Sequence, residues 1–62
     1  MHTENKIVDG FFEIRQNTKS KRIMLLRFGE PVKMIQPGRI LTLDELHEVL
    51  IKERAEMIAE GV

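Results

Sequence analysis

Thr42-Leu43-Asp44-Glu45 is the most specific local signal in this chain. A threonine with a glutamate three residues later forms a capping box. The Thr42 hydroxyl accepts from the Glu45 amide, and the Glu45 carboxylate reaches back to the Thr42 N–H. Leu41 and Leu46 occupy the hydrophobic-staple positions around the box. Asp44 and Glu45 also lie at the positive end of the helix dipole. The pattern predicts a helix over residues 42–60 with Gly61 as its C-cap. Leu43, Leu46, Leu50 and Met57 form one apolar stripe on it, and Ile51, Ala55 and Ile58 form a neighbouring arc. His47 and Arg54 separate the two arcs, and His47 is expected to be packed and partly buried. An apolar surface this wide exceeds what one small sheet covers, so a second chain is expected on the helix flank.

The residues before the helix have strand character. Ile7 to Arg15 reads as a first strand, interrupted at Asp9-Gly10 by a bulge or bend. Arg22 to Phe28 is a second strand, entered from a polar turn over residues 16–21. Gly29-Glu30 is expected to form the next hairpin turn, leading into a third strand over Pro31 to Gln36. Pro37-Gly38 is a turn signal, and Arg39 to Leu41 adds a short fourth strand. The expected architecture is α+β: a three- to four-stranded antiparallel meander over residues 6–41, followed by one C-terminal helix packed on one sheet face. Residues 1–62 are taken as a single small domain, with Met1 to Asn5 polar and disordered.

Side chains alternate across a strand, so the hairpin registers assign faces. With Asn17 to Ser20 as the first loop, Gln16 faces Lys21, Ile14 faces Ile23 and Phe12 faces Leu25. With Gly29-Glu30 as the next turn, Leu25 faces Met34 and Met24 faces Ile35. One face then carries Phe12, Ile14, Ile23, Leu25, Val32 and Met34 and receives the helix. The other carries Phe11, Met24, Leu26, Phe28 and Ile35, interleaved with Arg15, Arg22 and Lys33. A solvated face with so much apolar area marks an interaction surface.

The charges are sorted along the chain. Ten basic and ten acidic side chains cancel. Yet from Arg15 to Arg39 there are seven bases and one acid, and from Ile40 onward six acids and only two bases. The basic segment, with aromatic rings beside it, suits phosphate neutralisation and base stacking. The binding candidates are Arg15, Lys19, Lys21, Arg22, Lys33 and Arg39, with Phe11 and Phe28 as stacking residues. Leu26, Ile35, Ile51 and Ile58 are the candidate dimer or partner contacts. The glutamates of the helix are expected to be its solvated side, supported by Glu48 and Lys52 at i,i+4.

No catalytic pattern competes with this surface. Cysteine is absent, which excludes disulfides and thiolate metal sites, and the two histidines have no ligand spacing. Glycine-rich phosphate loops are absent. No enzyme activity, metal or cofactor is therefore expected. Neither a signal peptide nor an apolar run of membrane length is present, so a cytoplasmic location is expected. A domain this small buries only about 60% of its unfolded surface, which favours homo-oligomerisation.

Lys21-Arg22-Ile23 in a strand, then Pro37-Gly38-Arg39-Ile40-Leu41-Thr42-Leu43 entering the helix, is similar to the layout of positive-cofactor-type single-stranded DNA-binding domains. That resemblance covers about two-thirds of the chain. It implies dimers that place a basic sheet surface on single-stranded DNA. The chain is shorter than that family, has no aromatic residue in its helix and has a compressed third strand. The expected function is a small non-catalytic nucleic-acid-binding or regulatory protein, a homodimer using a basic and apolar sheet face on single-stranded DNA or RNA. The alternative is an inhibitor or adaptor that docks on a larger protein through the same face.

Overall fold

The computed structural model describes residues 3–60. Four strands, β1 (Glu4–Asp9), β2 (Phe12–Asn17), β3 (Ile23–Arg27) and β4 (Glu30–Ile35), form one antiparallel sheet in the order β1-β2-β3-β4. One helix, α1 (Leu43–Ala59), follows and lies over β1 and β2. The α+β meander with a C-terminal helix is thus the observed architecture. Thr42 caps the helix with both halves of the capping box formed. The helix ends at Glu60, and the expected C-cap Gly61 lies outside the described residues. Met1 and His2 of the expected disordered segment also lie outside them, whereas Glu4 and Asn5 are ordered strand.

The four strands are not the expected four. The stretch Ile7 to Arg15 is not one interrupted strand: it folds back at Gly10-Phe11 into the β1–β2 hairpin. Gly10 has φ +64 and Phe11 does not share it, the pattern of a type II′ turn, which suits the strand twist. Arg39 to Leu41 forms no strand. The expected count survives because one strand was split and another removed.

Two registers also differ. The loop between β2 and β3 spans residues 18–22, so Gln16 pairs with Ile23 and Ile14 with Leu25. Asn17 causes the longer loop. Its side-chain oxygen accepts from the Lys19 and Ser20 amides, and its carbonyl accepts from Lys21 N–H, with Lys21 at φ 66. A shift of two residues leaves the faces unchanged.

The β3–β4 hairpin turns at Phe28-Gly29, not at Gly29-Glu30. Positive φ at both residues (53 and 78) matches a type I′ loop. The turn alone moves the pairing by two and keeps the faces; the bulge between Pro31 and Lys33 adds one residue, and that odd step exchanges the faces of Lys33, Met34 and Ile35. Met24 pairs with Met34, Leu25 with Lys33 and Ile23 with Ile35. A bulge leaves Val32 without a cross-strand partner between Lys33 and Pro31.

The core lies between the sheet and α1. Phe12, Ile14, Ile23, Leu25, Leu41, Leu46 and Leu50 are buried, with Ile7, Ile35, Val49 and Met57 packed around them. Leu43, assigned to the buried stripe from helical periodicity, is exposed. His47 is exposed as well, not packed, and it borders the outer surface of the helix.

Gln16 is the organising polar group of this core. It is fully buried at the third inward position of Phe12-x-Ile14-x-Gln16. Its Nε2 donates to the carbonyls of Lys21 and Arg39, at 2.9 and 2.8 Å, and its Oε1 accepts from Leu41 N–H at 2.9 Å. One side chain thereby holds both the β2–β3 loop and the segment that enters the helix.

Candidate binding surface

Cross-strand partners share a face, so the registers define the surface opposite the helix. Lys6 pairs with Arg15, Arg15 with Met24, and Met24 with Met34. These four residues form one row across the open face. Val8, Glu13, Leu26 and Pro31 form a second row toward the Phe11 and Phe28 turns. Glu4 and Asn17 pair on the other side, next to the β2–β3 loop.

Of the six bases proposed for binding, three engage carboxylates of the chain itself. Lys33 faces the helix, not the open side, and its Nζ donates to both oxygens of Glu53 at 3.0 and 2.9 Å. Glu53 is buried, and this hydrogen bond raises the pKa of Lys33, against a smaller opposing effect of desolvation. Arg39 makes a two-pronged contact with Glu45 at 3.1 and 2.6 Å. That contact, with the Thr42 amide adding to it, holds the Glu45 carboxyl at about 2. Arg15 is paired through its Nε with Glu13 on the open face, and that bond raises its pKa. Lys19, Lys21 and Arg22 are exposed and have no carboxylate partner among the described residues.

The aromatic candidates do not join this basic group. Phe11 and Phe28 occupy the β1–β2 and β3–β4 turns, at the end of the sheet opposite the β2–β3 loop. Six-residue strands put the two ends about 20 Å apart. The rings stack on each other at 4.6 Å with an angle of 8° between planes. They are 53% and 73% exposed. Phe28 N–H donates to the Phe11 carbonyl at 2.9 Å, which ties the two turns together.

Among the expected contact residues, Leu26 is 4% exposed and is not available as an anchor. Ile35 packs against the core on the helix side, for the same one-residue reason as Lys33. Ile51 and Ile58 are exposed on the outer surface of α1, as the second helical arc predicts.

The structure therefore assembles a different group from the one read in the sequence. Arg15 and Arg22 flank a cleft of about 260 Å³ whose lining includes Met24, Met34, Glu4 and Asn17. Lys19 and Lys21 stand on the adjoining loop. Met24 was already expected on this face; Met34 and Glu4 were missed, because Met34 reaches it only through the bulge at Val32 and Glu4 only through β1 starting there. A second cleft, of about 340 Å³, lies between α1 and residues 39–41, and the Arg39–Glu45 contact occupies its rim. Among the described residues no group of histidine, aspartate and glutamate is placed to hold a metal, and no helix is long and apolar enough to cross a membrane.

Comparison with protein-family models, curated proteins and solved structures found no match. The short strand after the Pro-Gly turn, part of the layout that resembled single-stranded DNA-binding domains, is not formed.

Proposed function

We propose that this chain is a small non-catalytic protein that binds single-stranded nucleic acid on the basic end of its open sheet face. The observation that carries the proposal is the placement of Arg15 and Arg22 on the cleft lined by Met24 and Met34, with the exposed Lys19 and Lys21 on the adjoining loop. The remaining candidate bases are directed to carboxylates elsewhere. Glu48, Glu56 and Glu60 are exposed on the helix, on the far side of the molecule. A strand is therefore drawn to one face and repelled from the other. Flexible single strands suit a short basic face with an apolar floor, because unstacked bases can settle on it. A homodimer in the cytoplasm belongs to the same proposal, with the exposed Leu43, Ile51 and Ile58 as the contact between copies.

Fluorescence anisotropy of a labelled single-stranded oligonucleotide tests this proposal. Four basic contacts predict a log–log salt slope of about −2 to −3. Absence of binding at low salt contradicts it.

The Phe11–Phe28 pair favours a second function, capture of a protein partner. An exposed phenylalanine at φ 53 is a backbone conformation that folding alone does not select. If this applies, Phe28→Ala weakens partner capture and leaves oligonucleotide affinity unchanged.

A further inference from the structure

We infer that the cleft beside Arg15 and Arg22 accepts one nucleobase of the bound strand, and that Glu4 gives it a preference for guanine. The inference rests on the single-strand function proposed above and concerns specificity within it.

Glu4 lines this cleft together with two guanidinium groups; beside the Glu13 hydrogen bond its charge also acts on Arg15, and its carboxylate is an acceptor that a phosphate does not use. Glu4 is cross-strand partner to Asn17, which lines it too, so an acceptor-only group and an amide share one rim. The floor is Met24 and Met34, whose polarizable thioethers make favourable contacts with aromatic ring systems. Guanidinium groups match phosphate with paired N–H donors. Arg15 has its Nε committed to Glu13, which leaves its terminal nitrogens as donors. The lining thus supplies a surface for a ring, donors for a phosphate and an acceptor for a base edge.

The volume limits the occupant. At about 260 Å³ the cleft lies below the usual range of small-molecule pockets, about 300–1,000 Å³. That space admits one ring system.

The acceptor then chooses among bases. Guanine presents adjacent N1–H and N2–H donors that a carboxylate can take together. Adenine and cytosine each present one amino group. Thymine and uracil present a single imide N–H between two carbonyl oxygens, which a carboxylate repels. The expected order is guanine first, adenine and cytosine next, thymine and uracil last.

The test uses the full chain and short labelled thymidine strands in which the central nucleotide is guanosine, adenosine, thymidine or an abasic site. The guanosine strand should bind about tenfold tighter than the all-thymidine strand, the scale of one well-placed base contact. Glu4→Gln should reduce that ratio to near one without weakening the all-thymidine strand, because a negative charge is removed from a phosphate-binding face. Met34→Ser, a change at a half-exposed residue, should narrow the difference in affinity between the guanosine strand and the abasic one. Circular dichroism of both variants checks that the fold is kept. Equal affinity for all four strands, or a guanine preference that survives Glu4→Gln, overturns this inference and leaves the single-strand function standing. Failure of every strand to bind overturns both.

Discussion

Gln16 and Leu41 lie twenty-five positions apart, and the Gln16 side-chain oxygen accepts the Leu41 N–H at 2.9 Å inside the core. The same amide donates to the Arg39 and Lys21 carbonyls. Gln16→Leu keeps the volume but strips partners from one backbone donor and two acceptors. Each group left buried and unpaired costs about 1–3 kcal/mol, and local rearrangement recovers part of it. The expected loss is about 2–4 kcal/mol by urea denaturation, against a total of about 3–9 kcal/mol for a domain of this length. A loss under about 0.5 kcal/mol would mean that the network contributes little beyond packing.

Lys33 and Glu53 join the edge strand to the helix. Removing Lys33 leaves the buried Glu53 carboxylate without its cation, an effect that solvent screening at the exposed lysine reduces. Removing both charges is cheaper, since no carboxylate is then left without its cation. Thermal melts should therefore rank the wild type and the Lys33→Met, Glu53→Met double variant close together, with Lys33→Met alone clearly below both. Equal melting of the single and double variants would show that Glu53 is not held by Lys33.

Phe28 carries two opposed effects. Its left-handed backbone costs about 1–2 kcal/mol for a residue with a β-carbon. Its stack on Phe11 returns about 0.5–1.5 kcal/mol. Asparagine tolerates the turn conformation but cannot stack. Phe28→Asn should leave stability within about 1 kcal/mol of wild type. A larger loss would assign the Phe11–Phe28 pair a structural role and weaken the case for a protein contact at that end.

Arg39 and the Thr42 amide hold the Glu45 carboxyl at about 2, below its ordinary value of 4.5. A depressed folded-state value contributes stability above the unfolded value and loses it as pH falls through the window between the two. Glu45 therefore contributes fully above pH 4.5 and loses its contribution progressively toward pH 2. Carboxyl NMR titration should place its midpoint near 2 in the wild type. Arg39→Ala should move the midpoint up toward the ordinary range. The pair is solvent-exposed, so its effect on stability is small and reduced further by salt.

Local chemistry made the helix legible: Thr42, Glu45 and the apolar periodicity specify its start and its buried Leu46 and Leu50 without reference to any other element. The strands were harder. Face assignment passes through turn geometry, and Phe28 at positive φ is a choice that propensity disfavours. The bulge at Val32, which no local pattern marks, puts Lys33 and Ile35 on the helix side and Met34 on the open side. Asp9-Gly10 carried a hairpin signal, but the apolar residues on both sides of it resembled one continuous strand. Gln16 offered the clearest overlooked signal, a polar residue in phase with Phe12 and Ile14. The basic segment was visible as composition. Its division into bases with and without internal carboxylate partners arises from tertiary contacts such as Lys33–Glu53, which no local pattern encodes.

The most direct test of the proposed function compares Arg22→Ala with Arg39→Ala in a salt titration of single-strand binding. Arg22 lies on the open face beside Arg15 and Met24, and Arg39 is engaged with Glu45 beside the helix. The open-face account predicts that Arg22→Ala weakens binding and reduces the magnitude of the salt slope by about 0.7, one phosphate contact on a single strand. It predicts that Arg39→Ala changes neither. Equal effects of the two substitutions, or no binding by the wild-type protein, would contradict it.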